Sequence, residues 1–546
     1  MNRKLTGIEL SALLLIVAAV TLLAYYPGMS AGFYFDDEPN LLEVTALHWN
    51  EASLALLQRA LDEAFLPSRP VANVSMALNH VFAQLDPAPY HWTNLVIHLA
   101  VGLTLFWVIR LFQRHHSNAP HGQWIALLAV LLFLVHPLNV QAVTYMVQRM
   151  TLLATLFLLL GFGCYVTGRY CETAARCLGW FVLAALGFLL AVGSKELGLL
   201  LLPLLLLYEL CFHRAYWRDR HAALVARTGR LVLLAAGGAL LLVVVSIAWH
   251  LFADSIYWSE IMPTREYSGR ERVLTQGRVQ FFYLSLLLWP SPSRLNLDHE
   301  FLLSRSLLEP TTTLLALTGL LLIVVLAARS IPVRPKLAFP VLAYFLLHSI
   351  ESAPINLELV FEHRMYLPMT MLALALALNP GTFRSWTGVS RYAVLMAIAM
   401  LLAMFTYERN RTWSDPITLY RDAAQKSPNK FRPQYNLGTE MGKRGRLDMA
   451  LGALEQALTI KPTSSEAHNQ LANVYLVQGV QPAAERHYRL AIEYDPSNAE
   501  ALFNLANLLF VQRRYTEQRI VLEQFVLHAP PYLEQQKQSA LRDLGR

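Results

Sequence analysis

The chain has 546 residues, 55% of them hydrophobic and only 15% charged, with a formal net charge of +7. A soluble protein of this length carries more charge, and apolar runs of about twenty residues recur over the first three quarters of this one. The basic residues sit in short loops between those runs, which is the positive-inside pattern of membrane proteins and argues against nucleic-acid binding.

The first apolar stretch, Leu13 to Tyr25, follows Asn2-Arg3-Lys4 and is not followed by a small-residue cleavage site. It reads as a retained signal anchor inside a helix from Ile8 to Tyr26. Behind it comes Gly32-Phe33-Tyr34-Phe35-Asp36-Asp37-Glu38, three carboxylates set behind aromatics beside a bilayer, where charge is expensive without partners or a role. The loop from 28 to 89 is long and net negative, so it belongs outside. Within it Leu54, Leu57, Leu61 and Phe65 recur at helical spacing, which predicts a surface helix over Ala52 to Phe65. A second short helix is expected after Arg69, with Pro70 in its first turn.

Further spans are predicted at Tyr90–Phe112, Trp124–Val135, Val143–Val166, Leu178–Val192, Leu197–Leu210, Leu231–Phe252, Thr311–Ala328, Leu337–Ile350, Met365–Leu378 and Tyr392–Phe405. Arg214 to Arg230 is the strongest inside signal. Val279 to Trp289 is short and ends in Trp-Pro-Ser-Pro, so it is expected to dip into the membrane and return. About eleven crossings then leave the C-terminal region outside, on the face of Asp36 and Asp37. The four cysteines, Cys164, Cys171, Cys177 and Cys211, fall at cytoplasmic ends and are expected to be reduced, with no metal site.

From residue 409 the composition changes. Pro428, Pro462, Pro496 and Pro530 are spaced by 34 residues, the period of the tetratricopeptide repeat. Leu437, Leu471 and Leu505 agree in phase, as do Ala457 and Ala491. Repeats are predicted at 428–461, 462–495 and 496–529, with a preceding helix from Asp415 to Ser427 and a closing one from Tyr532 to Leu544. Their concave face would bind extended protein segments. The chain is thus all-α: a polytopic membrane bundle over 1–408 and an α-solenoid over 409–546.

This topology gathers Asp36, Asp37, Arg69, Asn94, His98, His136, Gln141, Arg149, Lys195, Glu196, Glu362 and Arg364 at the outer membrane boundary. Acids and bases meet there with little water to screen them. His98 taken alone also reads as a helix-packing histidine, and Lys195-Glu196 as a loop ion pair. No Gly-rich phosphate loop suggests a nucleotide-sugar site.

Phe35-Asp36-Asp37, then Arg69-Pro70, Asn94-Leu95-Val96-Ile97-His98, His136-Pro137, Ser194-Lys195-Glu196 and Glu362-His363-Arg364-Met365-Tyr366-Leu367-Pro368, in that order and fused to the repeats, resemble the transmembrane and tetratricopeptide-containing protein O-mannosyltransferases. Two positions depart from that family: Gln141 stands where an acid often follows the His-Pro turn, and Arg149 sits between Gln148 and Met150 rather than Gly and Ala. The resemblance implies the GT-C fold and a polyprenyl-phosphate sugar donor, with no cofactor required and a divalent cation left open. It implies inverting transfer to a hydroxyl, with Asp36 as the base that takes the hydroxyl proton and Asp37 orienting. Arg364, then Arg149, Lys195 and Arg69, would hold the donor phosphate, with Glu196, His98, His136, Asn94 and Glu362 supporting. The acceptor would be an extracytoplasmic protein held by the repeats, in the inner membrane of a bacterium with the active site facing the periplasm. Two alternatives stay open: a transferase of the same fold acting on a lipid or polysaccharide, and a non-enzymatic scaffold for envelope assembly.

Overall fold

The computed structural model describes residues 5–51, 53–64, 66–117, 122–213, 265–379 and 388–545. The expected span Leu231–Phe252, the run Arg214 to Arg230 and Arg384 lie outside these residues. The chain divides into two units, 1–295 with 301–414, and 296–300 with 415–546.

The first unit is a bundle of apolar helices. Helix α1, Gly7–Tyr25, starts where Thr6 and Glu9 form a capping box. The outer loop folds into α2, Leu54–Asp62, and α3, Pro70–Ala83, with Pro70 at the first helical turn. Leu41, Leu47, Trp49, Ala60, Met76 and Ala77 give this loop a core of its own. Then come α4 (Pro87–His116), α5 (Gly122–Leu134), a short α6 (Val140–Thr144), α7 (Arg149–Arg169) and α8 (Ala174–Val192). They are followed by α9 (Leu201–Phe212), α10 (Gly269–Leu288), α11 (Thr312–Ser330), α12 (Pro335–His348), α13 (Tyr366–Leu378) and α14 (Gly388–Trp413). A Cβ on Gly187 would lie 2.8 Å from the Cα of Gly161, so α7 and α8 meet backbone to backbone, as small residues allow in membranes.

Among the described residues six helices are long and apolar enough to cross a membrane: α1, α4, α7, α8, α11 and α14. The pair α5–α6, bent by 52°, is apolar enough to make a seventh if the two helices count as one broken span. Helices α9, α12 and α13 lie on expected spans but have 12, 14 and 13 residues, short of the length that a bilayer core of about 30 Å requires. The described residues therefore hold fewer full-length spans than the eleven expected.

Three expectations need correction. The span Val143–Val166 is not helical throughout, because the chain leaves helical geometry at Tyr145 and α7 begins at Arg149. The segment 279–289 does not reverse within itself; 279–288 is the second half of the 20-residue α10. Near its start Arg272 reaches the carbonyls of Glu351 and Ile355, and at its end the Leu287 carbonyl meets His136. Both ends meet residues expected on the same side of the membrane, and α10 is not among the helices apolar enough to span. Finally, Cys171 and Cys177 are joined in a disulfide, while Cys164 and Cys211 are free. The tight turn between α7 and α8 brings the two Cα atoms to 5.5 Å, within disulfide range.

The second unit begins at Asp415, six residues later than composition suggested, because α14 runs on to Trp413. It is a succession of helix pairs: α15 (Pro416–Lys426), then α16/α17 (Phe431–Lys443, Leu447–Ile460), α18/α19 (Ser465–Val477, Gln481–Tyr494), α20/α21 (Ala499–Val511, Tyr515–His528) and α22 (Glu534–Asp543). Gly445, Gly479 and Arg513 occupy the same turn of successive pairs at φ 70°, 81° and 60°; glycine adopts this left-handed geometry freely and arginine does not. The segment 296–300 belongs here through Asn296 and Glu300 on the Ser427 hydroxyl and Lys430 on Asp298.

Candidate active site

The corner that precedes α7 is where the expected site residues converge. Tyr145 breaks the helix, so the N–H groups that follow are open to other acceptors. Asp37 takes one. Its Oδ1 accepts from Val147 N at 2.8 Å and its Oδ2 from Tyr34 N at 2.9 Å. Asp37 is 1% exposed, and burial pushes its carboxyl up to about 7 against the pull of the Tyr34 and Val147 amides. Asp36 is half-buried. The Tyr145 hydroxyl accepts from Asp36 N at 2.7 Å and also hydrogen-bonds the Asp36 side chain. Phe35, which turns the chain into this pair, sits at φ 57°, a conformation that costs a non-glycine residue about 1 kcal/mol or more and concentrates at functional sites.

Arg149, at the start of α7, is fully buried. Its Nε donates to Asn94 Oδ1 at 2.7 Å, Nη1 to the Ser75 carbonyl at 3.0 Å and Nη2 to the Tyr90 carbonyl at 3.1 Å. Asn94 donates in turn to the carbonyls of Val143 and Met146. The two side chains fasten α3, α4 and the corner together. All three nitrogens of Arg149, expected as a phosphate contact, are engaged by groups of the protein.

One turn further along, α7 meets the cations. Arg69 Nη1 contacts Met150 Sδ, and its other two nitrogens form a bidentate pair with Glu196, Nε at 3.1 Å and Nη2 at 2.9 Å. Lys195 donates to Thr151 Oγ1 at 3.1 Å and pairs with Glu351 Oε1 at 2.7 Å. The second oxygen of Glu351 lies 3.9 Å from Arg364 Nε, too far for a hydrogen bond. Arg364 Nη1 is held instead by the carbonyls of Glu358 and Leu359. Burial alone would raise the Glu351 carboxyl, but Lys195 and Arg364 hold it down to about 2. Arg272 reaches in from α10, fully buried, with Nη2 on the Glu351 carbonyl at 2.7 Å. Its Nη1 is buried and has no partner. From Val147 to Thr151 is about 6 Å along the helix axis, so the carboxylates and the cations share one short platform. A cavity lined by Asn40, Leu47, Asn73, Met76, Val147 and Met150 adjoins it.

The other expected residues are placed elsewhere. His98 is buried among helices, its Nε2 on the Leu134 carbonyl and its Nδ1 on Tyr366 Oη at 2.6 Å, which is the packing role. His136 caps Leu138 and holds the end of α10 through the Leu287 carbonyl. Glu362 is fully buried in the turn before α13, next to His363, whose N–H donates to Gln141 Oε1 at 2.9 Å. No group of three or more His, Cys, Asp or Glu suited to a metal occurs among the described residues.

Sequence reasoning missed Tyr145, Arg272 and Glu351. The last carried a readable signal, a lone carboxylate directly after an apolar helix ending near Ile350. Tyr145 and Arg272 carried none, because their relevance depends on which loops meet.

The tetratricopeptide repeat family matches residues 469–533. The chain is 24% identical to protein O-mannosyl-transferase TMTC3 of Homo sapiens over 92% of its own length and 59% of that protein. It is 32% identical to protein O-mannosyl-transferase TMTC2 of Homo sapiens over 37% of its length and 24% of that protein. A stretch covering 17% of the chain is 36% identical to type IV pilus assembly protein PilF of Pseudomonas aeruginosa, 37% of which it covers. The chain spans about three fifths of the length of the TMTC3 relatives it matches.

Proposed function

We propose that this relative of the transmembrane, tetratricopeptide-containing protein O-mannosyl-transferases is a membrane glycosyltransferase of GT-C type, moving a sugar from a polyprenyl-phosphate donor to a hydroxyl of a protein. The observation that carries the reading is the platform at the start of α7, which bears a carboxylate pair at one end and buried cations at the other.

In this reading the acceptor oxygen attacks the anomeric carbon as Asp36 takes its proton. The bond from that carbon to the phosphate oxygen breaks, and its electron pair leaves with the lipid phosphate. Attack from the side opposite the phosphate inverts the centre. A hydroxyl is a weak nucleophile, so the base is required. Asp36 is the half-exposed member of the pair and can meet a substrate; Asp37, bound to two backbone amides, positions it. Arg69, Lys195 and Arg364 would be the fixed partners that growing phosphate charge needs. Trp413, at the end of α14, packs against Tyr34 and Tyr145, so the chain leaves the bundle on the carboxylate side. That side is the periplasm in a Gram-negative host.

The test is transfer of sugar from a polyprenyl-phosphate donor to a Ser/Thr peptide by purified protein. Asp36→Asn keeps shape and packing and should lower the rate by about 10² to 10⁴, the contribution of a positioned base. Wild-type turnover by this variant would remove Asp36 from the mechanism.

A further inference from the structure

Around the second half of the platform four cations, Arg69, Lys195, Arg272 and Arg364, face two carboxylates, Glu196 and Glu351. Arg265 and Glu358 pair with each other at 2.8 Å and add nothing to the balance. Arg69 is satisfied by Glu196 alone. Lys195, Arg272 and Arg364 therefore share Glu351, and they share it unequally. Lys195 has one of its oxygens at 2.7 Å, Arg364 stands 3.9 Å from the other, and Arg272 touches only its backbone carbonyl. Lys195, Arg272, Arg364 and Glu351 are each at most 8% exposed. Burying an excess of two positive charges is costly unless an anion joins them. The Nη1 of Arg272, buried and unpartnered, is a donor that the folded chain leaves unused.

We infer that this cluster is built for a phosphate carrying two negative charges, with Arg272 as a binding residue and Glu351 as an internal anion that keeps the cations assembled until the phosphate arrives. The inference rests on the proposed donor site and goes beyond it. A sugar linked through a phosphodiester carries one negative charge, whereas the phosphate monoester released by transfer carries about two near neutral pH. A site matched to the second charge favours the leaving group over the intact donor. It pulls the reaction toward bond breaking, as differential binding requires, and it makes the free lipid phosphate a tight product.

The test is binding to the full-length protein in nanodiscs, measured at pH 8, of citronellyl phosphate and of its methyl diester. These share one chain and differ by one charge. The wild type should prefer the monoester by about tenfold or more, the worth of one charge-assisted hydrogen bond. Arg272→Met should bring the two affinities together, chiefly by weakening the monoester, and Arg272→Lys should keep part of the preference. Thermal unfolding of both variants in the absence of ligand shows that they are folded. Equal binding of the two ligands by the wild type, or an unchanged preference in folded Arg272→Met, overturns the inference. Failure of the wild type to bind either ligand overturns the donor site itself.

Discussion

Two neighbouring aspartates have opposite surroundings here, and that difference assigns their work. Asp37 gives both oxygens to backbone amides and is sealed from water, while Asp36 shares the Tyr145 hydroxyl and keeps partial access. Burial raises the Asp37 carboxyl from 3.8 to about 7, so the folded protein holds that proton more tightly than the unfolded chain does. Its contribution to stability is present at low pH and is lost as pH rises through about 7. Asp37→Asn removes this titration. The stability difference between wild type and variant should therefore shift against the wild type across that window, and unfolding midpoints at a series of pH values measure it. The charge of Asp36 also helps to raise the Asp37 carboxyl, so the two are coupled. The transfer rate should rise with an inflection near pH 7 that Asp37→Asn abolishes, and an identical pH profile in the variant would show that the two carboxyls are uncoupled.

At the scale of an element, the corner before α7 decides the site. A helix continued from Val143 would have tied up the amide of Val147, and Asp37 would have had no partner there. What holds the corner open is the pair Asn94 and Arg149, reaching across to α3 and α4. Arg149→Met leaves the Asn94 oxygen and the carbonyls of Ser75 and Tyr90 without donors in a buried place. That should cost about 3–5 kcal/mol of stability, read as a lower unfolding midpoint in detergent. The surviving folded protein should bind donor lipid with affinity near that of the wild type. A variant of normal stability and poor lipid binding would return Arg149 to the phosphate site. Helix α10 makes a second contribution of the same kind, because it runs between Glu351 at one end and His136 at the other and so delivers Arg272 to the cations.

For the whole molecule, alternation of sides is the organising fact. Loops that contact one another lie on one face: 37 with 147, 69 with 196, 195 with 351, and 141 with 363. The cations Arg110 and Arg114 near the end of α4, Arg169 at the end of α7 and Arg329 at the end of α11 fall at the opposite ends of their helices. A reporter active only outside the cytoplasm, fused after Arg546, should be active, and a cytoplasmic reporter working there would reverse the assignment.

The sequence by itself determined the class of this molecule. Apolar runs, basic loops and a strict 34-residue period are local patterns, each set by what a short stretch must bury or expose, and they specify a membrane bundle followed by repeats. Counting spans also led to the expectation of one polar face, and of that set the structure brings Arg69, Lys195, Glu196 and Arg364 close together. What it could not settle was which of those residues touch. His98 and Arg149 looked like Lys195 in the chain, polar residues among apolar ones, yet two of them fasten helices and the third faces the cluster. Glu351 and Arg272 are 79 residues apart and meet only because the start of α10 packs against the segment that follows α12. Pairing among buried charges depends on distances of a few ångströms between segments remote in sequence, and only the tertiary structure fixes those distances.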